Sequence, residues 1–213
     1  MAISNYLIYF AYYLTQNKTQ MKKYSYVIEH EDTPDSPREW DNVTTMICFH
    51  KRYDLGDKHN YNSRDYEGWQ EMKEQIMADN EVLHIEPLYL YDHSGITIST
   101  SPFGCQFDSG QIGWVIITRK QLKLLCGDED TSVERLSEIV KSEVKTYDQY
   151  LTGEVYCFKV YETETCSLGC EHKTLLDSCC GYYDEDEAEA EAKSMVEQYE
   201  KIQESLITEL EEG

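Results

Sequence analysis

Three segments decide the fold: VLHIEPLYLYD at 82–92, GITIST at 95–100 and GQIGWVIIT at 110–118. Each is rich in β-branched and aromatic residues and is bounded by turn formers, HSG and PFGCQFDSG, so each predicts a strand. The turns are too short to carry a crossover helix, which makes the pairing antiparallel. Two more strands precede them: residues 22–30, in which Tyr24, Tyr26 and Ile28 alternate to one side, and TTMICFH at 44–50.

Helices separate and follow these strands. Trp69, Met72 and Ile76 share one face of a helix over 65–79. RKQLKLLC predicts a short helix stopped by Gly127. Thr131 and Glu134 have capping-box spacing, and Val133, Leu136, Val140, Tyr147 and Leu151 continue the helical period until Gly153. EVYCFKVYETE predicts a strand, with Cys157 on one side and Phe158 and Val160 on the other. Residues 164–174 predict a Cys-containing loop, and LLDSCCGYY the last strand. The chain ends in a long helix from about 186 to 210, where Ala188, Ala192, Met195, Tyr199, Ile202 and Leu206 repeat in an a/d pattern. The expectation is α+β: an antiparallel sheet flanked by helices, with a long acidic C-terminal helix. By region this gives an N-terminal appendage at 1–20, an α+β domain at 21–183 and the acidic helix at 184–213. Met21 is a second candidate start.

Charge is the strongest functional signal. The 213 residues hold 41 Asp and Glu against 19 Lys and Arg, a formal net charge of −22. DNA affinity rests on cationic contacts to phosphates, so ordinary nucleic-acid binding is excluded. No apolar stretch reaches the roughly 18–20 residues of a membrane span. A hydrophobic fraction of 40%, with 18 tyrosines, supports a packed core. Residues 184–213 carry twelve acids against two lysines: Asp184, Glu185, Asp186, Glu187, Glu189, Glu191, Glu197, Glu200, Glu204, Glu209, Glu211 and Glu212. On a helix, thirty residues span about 45 Å. One acid then falls about every 4 Å, against about 3.4 Å per phosphate along a DNA strand. Such a surface fits a cationic groove built for DNA, with Tyr182, Tyr183 and Tyr199 as aromatic anchors. DEDE at 184–187 also has a simpler use, because acids at a helix start oppose the macrodipole.

Other residue sets name no reaction. Cys166, Cys170 and His172, with Cys179 and Cys180, offer zinc-type ligands, but without the paired C-x2-C spacing. His50, Asp54, Asp57 and His59, with Asp92 and His93, are candidate metal or acid–base groups. Arg38, His50, Arg52, Asp92 and His93 offer a pocket for a small nucleotide signal. The eight cysteines read as reduced thiols of a cytoplasmic protein, since no secretory signal opens the chain. Trp40 reads as an inward loop anchor. No cofactor and no metal are expected.

SPREWDN at 36–42, HKRYDLGD at 50–57, LYLYDHSGITISTSPF at 88–103, DSGQIGW at 108–114 and YDQYLTGEVY at 147–156 resemble a family of acidic proteins of bacteriophages and mobile elements. The resemblance spans about 22–183 and leaves residues 1–20 outside. It implies a counter-defence context in a bacterial host cell: a non-enzymatic, DNA-mimicking inhibitor of a defence nuclease, of the anti-CRISPR or antirestriction kind. Its partner would be that nuclease or its ribonucleoprotein complex. The alternatives are a binder or hydrolase of a small nucleotide signal, and a phage component dimerising through the Ala188–Leu206 seam.

Overall fold

The computed structural model describes residues 22–127, 131–166 and 168–212. The fold is α+β, with two antiparallel sheets where the sequence suggested one. The expected appendage at 1–20 and the choice between Met1 and Met21 lie outside the described residues.

The chain divides into two compact units. One is Asp32–Glu154. The other joins residues 22–31 to residues 155–212. The single domain at 21–183 is therefore split, and the acidic helix belongs to the same unit as the first strand.

In Asp32–Glu154 the strands are β2 (Thr44–Cys48), β3 (Val82–Asp92), β4 (Ile96–Ser99) and β5 (Ser109–Thr118), in the order β2-β5-β3-β4. Helix α1 is Trp69–Asp79, α2 is Arg119–Cys126 and α3 is Val133–Thr152. The run GQIGWVIIT is almost continuously apolar because β5 is covered on both faces. Val115 and Ile117 pack with Leu136, Val140, Val144 and Tyr147 of α3. Trp114 and Ile116 pack with Met72 and Ile76 of α1. Between them Gly113 lies against β2 so closely that a Cβ there would meet the Ile47 carbonyl oxygen at 1.9 Å. Helix α3 is capped by Ser132, whose Oγ accepts the Arg135 N–H, and not by Thr131. At its end Gly153 takes φ +79°, the left-handed conformation that closes a helix. Trp40 is half exposed instead of turned inward.

In the other unit β6 (Tyr156–Thr165) runs between β1 (Lys23–His30) and β7 (Glu171–Tyr182). Strand β7 starts earlier than the sequence implied: the Cys166 N–H donates to the Cys170 carbonyl at 2.8 Å, and His172 lies in the strand. Helix α4 (Glu185–Glu212) packs on this sheet. Ala188 and Ala192 are fully buried, and their small size lets the helix backbone approach the strands. Phe158 and Val160 meet Ala192, Met195, Val196 and Tyr199, with Tyr26 and Ile28 alongside, as the strand alternation predicts. The thiols are not all reduced. Cys157 and Cys180 form a disulfide between β6 and β7.

Candidate functional site: the acidic helix

The face that Ala188 and Ala192 bury fixes which side of α4 meets solvent. At about 100° per residue, Asp186, Glu197 and Glu204 fall on the opposite side with Glu200 beside them, and all four are exposed. Glu185, Glu187 and Glu191 are exposed on the flanks. The helix runs 28 residues, about 42 Å. Lys193 and Lys201 neutralise part of this charge through pairs with Glu189 (3.0 Å) and Glu197 (3.8 Å).

Two of the acids have framework duties. Asp184 caps the helix, its Oδ1 accepting the Asp186 N–H at 2.9 Å. Glu189 accepts the Tyr26 hydroxyl at 2.8 Å, and this bond together with Lys193 lowers its pKa from the usual carboxylate value. The tyrosines expected to anchor a partner mostly face inward. Tyr182 packs on Phe158 with ring centroids 5.8 Å apart, and its hydroxyl is pushed up to about 12 by burial and by the neighbouring Cys179. Tyr199 stacks on Tyr24 at 5.6 Å. Tyr183 is half-buried. Carboxylates, not aromatic rings, dominate the outward side of this helix.

The a/d seam is likewise split. Its first half, Ala188 to Tyr199, is used against the sheet, and only Ile202 and Leu206, 55% and 54% exposed, remain open. A dimer through the whole Ala188–Leu206 seam is incompatible with this packing.

Of the nucleotide-pocket residues, His50, Arg52 and Asp92 line one cleft of about 590 Å³ together with Asp108, the partner of His93, whereas Arg38 lies apart from it. Arg38 is 5% exposed and is spent inside Asp32–Glu154. Its guanidinium holds Asp57 bidentately (2.6 and 3.1 Å), reaches Glu143 at 3.3 Å and donates to the Thr44 carbonyl at 2.8 Å. Arg52 pairs with Asp92, and His93 with Asp108 at 3.3 Å. His50 stacks on Tyr53, and burial and the Arg52 charge lower its pKa. Asp57 and His59 do not meet at a metal. Asp57 is held by Arg38, while His59 donates through Nε2 to the Cys48 carbonyl at 2.9 Å.

At the β6–β7 turn the Cys166 thiol is pulled down to about 7 by a hydrogen bond from His172 and by backbone N–H groups of Leu168 and Cys170. Cys179 is exposed elsewhere on the hairpin, so the five zinc-type residues do not form one cluster.

One feature had no separate signal in the sequence. A cleft of about 830 Å³ opens in Asp32–Glu154, lined in part by Lys58, His59, Tyr61, Tyr66, Asn80 and Lys120. Its polar residues come from a loop, two strands and two helices with no common spacing.

Among the described residues no helix is long and apolar enough to cross a membrane. No protein-family model, no curated protein and no solved structure matches the chain.

Proposed function

We propose that this protein is a non-enzymatic inhibitor of a nucleic-acid-targeting defence nuclease of a bacterial host, and that α4 occupies the nuclease's phosphate-binding groove. The observation that carries the reading is the run of exposed carboxylates Asp186, Glu197, Glu200 and Glu204 along α4, turned away from the face that Ala188 and Ala192 bury. From Ala188 to Tyr199 the helix is backed by the sheet, so the charges carried there keep their spacing with little ordering cost on binding. Complementary fields speed the encounter and make it salt-sensitive. The resemblance to acidic phage and mobile-element proteins supplies the context.

The test is capture of the tagged protein's partners from lysates carrying different defence systems, washed at low and at high salt. A DNA-reading nuclease retained at low salt and displaced by competitor duplex supports the proposal. Its retention through high salt, indifferent to DNA, places the grip elsewhere.

The second reading is a small-nucleotide binder, and it moves from the Arg38 set to the 830 Å³ cleft. That volume lies in the range of small-molecule sites. Lys58 and Lys120 with Tyr61 and Tyr66 offer cations and rings to an anionic, aromatic ligand. Thermal stabilisation by nucleotides, lost in Lys120→Glu, would support it.

A further inference from the structure

Strands β6 and β7 slip by one residue near the disulfide: Tyr156 opposes Tyr182, while Cys157 opposes Cys180. Gly181 is the extra residue, at φ +89°. Bulges of this kind take glycine and release an N–H from the ladder. The Gly181 N–H goes to Glu31 Oε2 at 3.0 Å. The backbone of Glu31 is itself fixed, its N–H donating to the Val155 carbonyl at 2.7 Å. A carboxylate is thus aimed at the two sulfurs. A Glu31 carboxylate oxygen, Cys157 Sγ and Cys180 Sγ lie within 4.8 Å of one another, the one such trio of His, Cys, Asp or Glu ligand atoms among the described residues.

We propose that Glu31, Cys157 and Cys180 form a redox-gated site for a thiophilic divalent cation such as zinc. The disulfide and the metal are alternative occupants of the same two sulfurs. A dithiol reductant supplies two electrons and two protons: its own thiols become a disulfide, and the Cys157–Cys180 bond becomes two thiols. The cation then replaces the two thiol protons, which leave to solvent, and takes an oxygen of Glu31 as third ligand. Zinc bonds of about 2.3 Å to sulfur and 2.0–2.2 Å to oxygen put tetrahedral ligand atoms roughly 3.5–3.8 Å apart, so the two sulfurs move apart once their bond is broken and the Glu31 oxygen comes in from within 4.8 Å. A fourth position stays open to water.

Burial suits such a gate. Cys157 is 6% exposed and anchors the site, whereas Cys180 is exposed and gives a reductant access to the bond. The Gly181 N–H holds the Glu31 carboxylate in place, the kind of hydrogen bond that orients metal ligands.

The test uses the full chain with cobalt(II) as the probe. The protein is reduced with a phosphine, which takes up an oxygen from water as the disulfide becomes two thiols, and is then freed of reductant without air. Cobalt should bind at one per chain with a thiolate-to-cobalt absorption band in the near ultraviolet, displaced by zinc. The oxidised protein should show no band. Cys180→Ser should abolish it, and Glu31→Gln should weaken cobalt binding at least tenfold, as loss of an orienting or ligating group does. A variant carrying Cys166→Ser, Cys170→Ser and His172→Ala should keep the band. The proposal is overturned if the oxidised protein binds equally, or if Cys180→Ser leaves the band intact. It is equally overturned if the turn variant loses the band, or if reduction takes up no cobalt or unfolds the hairpin by circular dichroism.

Discussion

Both units lay helices on an antiparallel sheet, but they use carboxylates in opposite ways. In Asp32–Glu154 the acids with structural roles are turned inward. Asp57 and Glu143 hold Arg38, and Asp148 accepts both the Thr97 hydroxyl and the Ile98 N–H at 2.7 Å. In the other unit the acids of α4 mostly stand in solvent, and only Asp184, Glu189 and Glu197 have a partner described above. The same residue type is a latch in one unit and a surface in the other. The local backing decides which: a guanidinium or unpaired N–H draws a carboxylate inward, and two buried alanines push a row of them out.

The sharpest way to break the comparison is to reverse both classes. Asp186→Lys, Glu197→Lys, Glu200→Lys and Glu204→Lys together should abolish partner binding, by at least a hundredfold, while circular dichroism and the melting temperature barely move. Among these positions only Asp186 lies in the first turn, where lysine also opposes the helix dipole, so a small loss of stability is expected from that substitution alone.

Arg38→Ala should do the reverse. It strands two half-buried carboxylates, and breaking such a pair costs about 3–5 kcal/mol, to be read by denaturant unfolding. Partner affinity per folded molecule should stay unchanged. A loss well below 1 kcal/mol would show that Arg38 is not a latch.

Ala192→Leu sharpens the comparison from the other side. Overpacking a sealed contact costs about 1–3 kcal/mol, and partner affinity should fall if the helix leaves the sheet. The smallest effect is chemical. Alkylation of Cys166, followed by peptide mass spectrometry, should rise with pH around a midpoint of about 7. Because hydrogen bonds to the thiolate cause that depression, His172→Ala should move the midpoint upward, toward the ordinary thiol value.

Much of the fold was legible because its signals are local. The alternation of Tyr24, Tyr26 and Ile28, the a/d spacing from Ala188 to Tyr199, and the stops at Gly127 and Gly153 each act within a few residues. The division into two sheets was not legible. Strand β1 pairs with β6 over more than a hundred residues, and no local pattern in KKYSYVIEH names that partner. The disulfide escaped for the same reason, since Cys157 and Cys180 meet only through the register of β6 on β7. Of the candidate site, the charge row was readable from spacing alone. The inward turn of Tyr182 and Tyr199 was not, because it depends on where Phe158 and Tyr24 lie. The motifs that carried the family resemblance have a structural reading as well. Arg38 with Asp57, and Thr97 and Ile98 with Asp148, tie four of those motif segments to one another in pairs within Asp32–Glu154.

The most direct measurement is the salt dependence of binding between this protein and a captured DNA-reading nuclease, with the wild type beside the four-lysine α4 variant. Affinity should fall steeply as salt rises, duplex DNA should compete, and the variant should not bind. Binding that is flat in salt, indifferent to duplex and retained by the variant would contradict it.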